Sequence, residues 1–230
     1  MASYQMKQRD PLFDTNMQAA IERRGKELLG LALLALAVMT AMLLASYVPE
    51  DPSWLSATDE PAANLLGRLG ASIASPLHVI VGYGSWGLVM VFGIWGLRFV
   101  FHRGEERALN RAIFAPIAIA LASVYAATLT PGAGWTHDFG IGGLFGDTVL
   151  GAVLSVVPSA AALGLKVMAA LVFLALLGMA LFVLGFDREE LKTLGRFMLV
   201  GVIMAYASLM ALGLRGVRGA ARGALALHAR

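Results

Sequence analysis

Residues 28–48 read LLGLALLALAVMTAMLLASYV, 21 residues without a charge. As a helix rising about 1.5 Å per residue, this run is roughly 30 Å long, which matches the hydrocarbon core of a bilayer. A largely polar tail of 27 residues precedes it, and Pro49-Glu50-Asp51 follows it. That bulky acidic turn stands where a cleaved signal peptide would carry small residues, so the run reads as a retained span. Further charge-free runs extend from Leu69 to Leu97 and from Ala112 to His137, and Thr148 to Phe186 is interrupted only by Lys166. A last run, Phe197 to Leu214, is just long enough to cross. Composition agrees: 58% of residues are apolar and 14% charged, with a mean hydropathy of +0.73. These values exclude a soluble domain and give the class, an all-α polytopic transmembrane helical bundle.

Charge location orients the spans. The tail carries Lys7, Arg9, Arg23, Arg24 and Lys26, and the segment between the second and third runs carries Arg98, Arg103, Arg107 and Arg111. The loop after the first span has Glu50, Asp51, Asp59 and Glu60 against Arg68 alone, and the 131–147 loop has Asp138 and Asp147 with no Lys or Arg. The positive-inside rule puts the tail and the 98–111 loop in the cytoplasm and both acidic loops on the other side. Five spans would leave Arg215, Arg218, Arg222 and Arg230 outside, against that rule. Two arrangements keep them inside: Thr148–Leu165 also spans, giving six, or Phe197–Leu214 lies along the cytoplasmic face, leaving four. The second is preferred, because Pro158 and the Ala/Gly-rich 159–164 stretch make a weak spanning helix. The expected organisation is a tail over 1–27, spans near 28–48, 76–97, 112–130 and 165–186, and a cytoplasmic-side segment over 187–230 containing the apolar helix 197–214 and a basic tail.

Small residues mark where helices approach closely. Ala37, Ala41 and Ala45 recur every four residues in the first span, as do Ala118, Ala122 and Ala126 in the third. Gly82, Gly84, Gly87, Gly93 and Gly96 give the second a thin face, with Trp86 and Trp95 expected at lipid-facing or interfacial positions. Pro76 and His78 are expected where the loop enters the membrane, and Asn16–Glu27 reads equally as a surface amphipathic helix or a solvated tail.

The loop between the first two runs holds Asp51-Pro52-Ser53-Trp54, Thr58-Asp59, Asn64, Gly67 and Gly70-Ala71. Asp before Pro starts a turn, Ser53 and Thr58 can cap short turns, and Trp54 suits a membrane interface. Farther on, Pro131-Gly132-Ala133-Gly134-Trp135 leads to Gly140, Gly142, Gly143 and Gly146, a bent and close-packed stretch. The ordered set Asp51, Pro52, Ser53, Trp54, Thr58, Asp59, Asn64, Gly67, Gly70 and the Gly142, Gly143, Gly146 element before the last span resemble the membrane domain of the FtsK/SpoIIIE DNA translocase family, over about residues 25–190.

That resemblance implies a four-span anchor, itself non-catalytic, of a septal DNA translocase that acts in chromosome segregation and cell division at the bacterial inner membrane. It implies other division proteins as partners, a homo-hexamer, and DNA contacted only through a motor. ATP and Mg would belong to that motor, which in the family follows a long linker C-terminal to such a domain. The marked loop residues are then expected to be partner contacts or structural. Phe197–Leu214 is more apolar than the family leads one to expect.

Catalytic chemistry is poorly represented. A Walker A reading fails, because the sole Gly-Lys, Gly25-Lys26, is followed by Glu27. No cysteine is present. His78, His102, His137 and His228 fall in different segments and show no metal-ligand spacing, so no metal or cofactor site is expected. His137-Asp138 reads as a hydrated loop pair. Serines occur without a nucleophile elbow. Lys166 is the one ionisable residue inside a long apolar region, costly at mid-bilayer and cheap if it snorkels from a helix end. An alternative reading, a small transporter or channel built from the same spans, would need ionisable groups converging at mid-membrane, and only Lys166 and His78 offer them. A cysteine introduced at Arg218 should resist an impermeant thiol reagent added outside intact cells and react once the membrane is opened.

Overall fold

The structure, a computed structural model, describes residues 15–133, 135–156 and 161–228. They are all-helical, with no strand among them. The chain divides into two units, to Gly185 and from Phe186. In the first, α1 (Thr15–Ala45) begins well inside the stretch expected as tail and runs unbroken through the first apolar block. α2 (Gly67–Val81) and α3 (Trp86–Val100) are joined by a 3₁₀ turn, Gly82–Ser85. Together they are long and apolar enough to cross a membrane. After a loop and the short α4 (Ala108–Ala112), α5 (Ala115–Ala127) sets off at 60° to the preceding helical stretch. Pro116 sits in its first turn, where its missing N–H costs nothing. α6 (Gly143–Val156) has 14 residues, short of the roughly 20 that a crossing needs. α7 (Ala161–Val183) is of spanning length.

α1 and α3 pack antiparallel along a seam of small residues. A Cβ on Gly96 would lie 2.8 Å from the Leu34 side chain and 3.0 Å from the Gly30 carbonyl, and one on Gly30 would lie 2.8 Å from the Gly96 carbonyl. Ala37 is buried in the same seam. Near the other end Leu43, Leu44 and Ala74 form a buried cluster flanked by Tyr47, Leu66, Leu77 and Val89. The glycines of the second span do not share one face. Gly93 and Gly96 meet α1, whereas Gly84 and Gly87 meet Ile119 and Ser123 of α5.

Pro76 lies inside α2, nine residues after its start, which membrane helices tolerate when neighbours take up the freed carbonyl. One sequence expectation is corrected. Trp95 does not face lipid. It is 3% exposed, and its Nε1 donates to the Val183 carbonyl at 2.9 Å. Arg98, one turn on, donates Nε to the Leu184 carbonyl at 2.9 Å and stacks its guanidinium over the Trp95 ring at 5.8 Å. These side chains take up terminal carbonyls of α7 and place a cation at its negative end. Gly185, at φ +81°, lets the chain turn beneath them.

In the second unit α8 runs Arg188–His228. Asp187 Oδ1 accepts the Glu190 N–H at 2.8 Å and starts it. Its part Arg188–Ser208 is long and apolar enough to cross, so the apolar stretch expected over 197–214 belongs to a longer helix. Large apolar side chains such as Leu171, Leu174 and Phe197 are exposed, as a lipid solvent requires. Gly96→Val should lower stability by about 1–3 kcal/mol through overpacking, read as earlier thermal unfolding in detergent. Gly178→Ala has nothing within 4 Å of the new Cβ and should be neutral or stabilising by up to about 1 kcal/mol.

Candidate functional site

Most of the sequence-marked residues meet at one end of the helical bundle, where α1 ends and α2 begins. Asp51 is 6% exposed, and its two carboxylate oxygens accept the backbone N–H groups of Ala63 at 2.7 Å and Asn64 at 2.9 Å. Asn64, also buried, donates Nδ2 to the carbonyls of Leu43 at 2.9 Å and Ser46 at 3.2 Å, and its Oδ1 accepts the Leu66 N–H. Ser46 Oγ accepts the Leu65 N–H at 3.0 Å. The end of α1 is thereby tied to the start of α2 through side chains that satisfy otherwise orphaned backbone groups. Gly67, at φ +61°, makes the turn into α2. Gly70 leaves room for the Asn64 side chain.

The loop's own turns are side-chain capped. Ser53 Oγ accepts from Leu55 and Ser56, and Thr58 Oγ1 accepts from Glu60. Pro52 is buried and Asp59 exposed. The loop projects Trp54, 86% exposed, beside Leu55 at 58%. A cavity of about 570 Å³ lies beneath it, lined by Pro52, Trp54, Thr58, Asp59 and Arg68 among others.

The glycine element forms a separate knot. Ser123 Oγ donates to the Gly142 carbonyl at 2.5 Å, Tyr83 N–H donates to the Ile141 carbonyl at 2.8 Å, and Ser85 Oγ donates to Gly82 at 2.6 Å. Gly82 and Gly143, at φ +59° and +70°, face each other so closely that a Cβ on either would meet the other's backbone. Gly142 and Gly146 press against Ser123. Asp147 accepts the Gly140 N–H at 2.7 Å and holds the approach to α6.

The histidines are less scattered than their segments suggest. His78 and His137 lie with ring centroids 5.7 Å apart, and Tyr47 stacks on His78 at 4.3 Å. His137 is stacked on Phe139 at 4.8 Å and on Tyr47 at 5.8 Å, so it is an aromatic partner and not simply a hydrated mate of Asp138. Trp135 lies against His78 and donates Nε1 to the Phe139 carbonyl. Burial, and secondarily the Glu50 charge, pushes the Tyr47 phenol up, so it stays neutral at physiological pH. No group of three His, Cys, Asp or Glu suited to a metal ion occurs among the described residues.

At the opposite end Lys26 pairs with Glu22 at 2.8 Å and Glu105 at 3.7 Å, and Arg24 pairs with Glu27 at 2.5 Å. Such solvent-screened pairs contribute little to stability. Lys166 is exposed in the second turn of α7.

Residues 22–190 match the family described as the 4TM region of DNA translocase FtsK/SpoIIIE. The chain belongs to the FtsK/SpoIIIE family. It is 32% identical over 158 residues to DNA translocase FtsK of Caulobacter vibrioides, covering 65% of this chain and 19% of that protein. DNA translocase FtsK of Bradyrhizobium diazoefficiens is 29% identical over 135 residues, covering 59% of this chain and 16% of the relative. That of Azospirillum brasilense is 28% identical over 148 residues, covering 64% and 24%. The chain thus spans no more than about a quarter of these relatives and corresponds to their membrane region. No solved structure gives a significant match. As an FtsK 4TM region with helices of crossing length, the chain is a multi-pass membrane protein.

Sequence reasoning found Asp51, Asn64 and the glycines but missed the residues they hold and the caps around them. Ser85 and Ser123, both fully buried, and Ser46 looked like ordinary membrane serines. A signal for the α7 cap was Trp95 and Arg98 spaced i, i+3 at the basic end of a span. Asp51→Ala would orphan the buried Asn64 N–H, at about 1–3 kcal/mol, and release the more exposed Ala63 N–H. A lower unfolding temperature in detergent is expected, with Trp54→Ala leaving it nearly unchanged.

Proposed function

We propose that this chain is a non-catalytic anchoring and assembly module of a septal DNA translocase, acting in chromosome segregation and cell division from the bacterial inner membrane. The observation that carries the reading is the FtsK/SpoIIIE 4TM match over residues 22–190. The geometry supports it. Buried polar side chains, Asp51, Asn64 and Ser123, satisfy backbone groups and point to no reacting centre. The two acidic loops meet at one end and the basic segments at the other, which supports an external Trp54 and a cytoplasmic tail.

In this reading the ordered outer loop is the contact for other division proteins. Trp54 and Leu55 are large, apolar and exposed on a loop whose base is fixed by Asp51 and Asn64. Exposed aromatics on rigid supports are favourable hot-spot residues. Assembly into a homo-hexamer, the reach to DNA, and use of ATP and Mg would depend on a motor joined to the anchor. A transporter has less support. Lys166 is exposed near a helix end, and His78 lies in the aromatic cluster at the loop end of the bundle, so neither brings ionisable groups together at mid-membrane.

A fluorescent fusion of this chain should concentrate at the division septum. Trp54→Ala/Leu55→Ala should disperse it while membrane level and detergent stability persist. An even distribution of the unaltered fusion around the cell would overturn the proposal.

A further inference from the structure

The elbow between α3 and α5, at the basic end, presents large apolar side chains among arginines. Leu109 is 88% exposed and Ile113, one helical turn on, is 74% exposed. Phe101, just past α3, is exposed as well. A cluster of open apolar side chains of this size marks a surface that something else covers. Its depth and its charge say what that is.

Arg98 fixes the depth. Its Nε donates to the Leu184 carbonyl at the end of α7, and its Nη1 donates to the Arg103 carbonyl at 3.2 Å. The Arg103 N–H donates back to the Arg98 carbonyl at 2.9 Å. His102 and Gly104, both in left-handed backbone at φ +53° and +70°, make the turn between. The end of α3, the end of α7 and the 101–104 turn therefore lie at one level, the boundary of the crossing helices on the side that the positive-inside rule makes cytoplasmic. The stretch Glu105–Ala112, at 60° to α5, leans along that boundary instead of through it.

Charge selects the partner. Residues 98–111 hold four arginines against two glutamates, a net charge of +2. Both acids are already paired, Glu105 with Lys26 at 3.7 Å and Glu106 with Arg107 at 3.2 Å. Arg103 is exposed, and its guanidinium has no hydrogen-bond or ion-pair partner among the described residues. We infer that this elbow is a site for anionic phospholipid of the cytoplasmic leaflet, with Leu109 and Ile113 entering the acyl region and Arg103 holding a phosphate at headgroup level. A guanidinium meets phosphate with two parallel hydrogen bonds. In an anionic lipid that phosphate adds to the attraction between the positive elbow and the leaflet, whereas a zwitterionic headgroup brings its own ammonium against it.

The test uses the whole chain in nanodiscs containing equal fractions of phosphatidylglycerol and phosphatidylcholine, followed by mild detergent stripping and native mass spectrometry of retained lipid. The unaltered chain should retain phosphatidylglycerol preferentially, and Arg103→Gln should reduce that preference about threefold. Because the Arg103 side chain holds nothing in the fold, the unfolding temperature in detergent should not move. Glu106→Gln, which removes a negative charge from the elbow, should raise the preference. The chain has no cysteine, so Leu109→Cys accepts a single environment-sensitive fluorophore, whose emission in the same nanodiscs should be that of the acyl region. Equal retention of the two lipids by the unaltered chain, or a preference that neither charge variant moves, would overturn the assignment. So would a water-like emission from position 109, which would instead point to a protein partner on this face.

Discussion

The close meeting of Gly82 with Gly143, locked by Ser123, is the contact on which the rest of the bundle depends. In lipid a backbone group left without a partner costs several kcal/mol, so any break in a span must be met by a neighbouring chain. The second span breaks at the 3₁₀ turn 82–85, and the 141–143 segment meets it there, with Ile141 accepting from Tyr83 and Gly142 accepting from Ser123. Three elements cross at a separation that only glycine allows. From this point the direction of α3 toward α1, the seat of α6 against α5 and the position of the aromatic cluster all follow.

A second constraint acts on the loop. Asp51 and Asn64 are polar, buried and fully engaged, and they replace the water that helix ends normally use. The residues between them need not contribute to the core, which leaves Trp54 and Leu55 able to project. Rigidity at the base and exposure at the tip therefore have one origin. An interaction surface on this loop loses little conformational entropy when a partner binds.

How much of this could be read in advance differs by kind of residue. The spans were legible because hydropathy over about 20 residues reports the solvent directly. Asp51, Asn64, Gly142 and Gly143 stood out because Asp, Asn and paired Gly between apolar runs imply specific backbone work. Their partners were not legible, since Asn64 reaches Leu43 and Ser123 reaches Gly142, pairings that only the packed helices create. Trp95 was misplaced for a related reason. A tryptophan near the end of a span is usually an interfacial residue, and only the arrival of α7 makes it a donor to Val183. Likewise His78 and His137 fall in separate segments, and the turn at Gly82 brings them together.

The two ends of the bundle are built from different chemistry, and that difference sets how firmly each is held. At the basic end, exposed ion pairs join Lys26 to Glu22 and Glu105, interactions that salt screens and that yield at little cost. Arg98 and Trp95 hold the last carbonyls of α7 at that end, and Arg111 and Phe114 pack on Phe182 beside them. At the acidic end, buried hydrogen bonds and stacked rings fix both loops against the helices. A bundle of this construction is stiffer at its acidic end than at its basic end, because exposed charge pairs yield more readily than backbone groups that have no alternative partner in lipid.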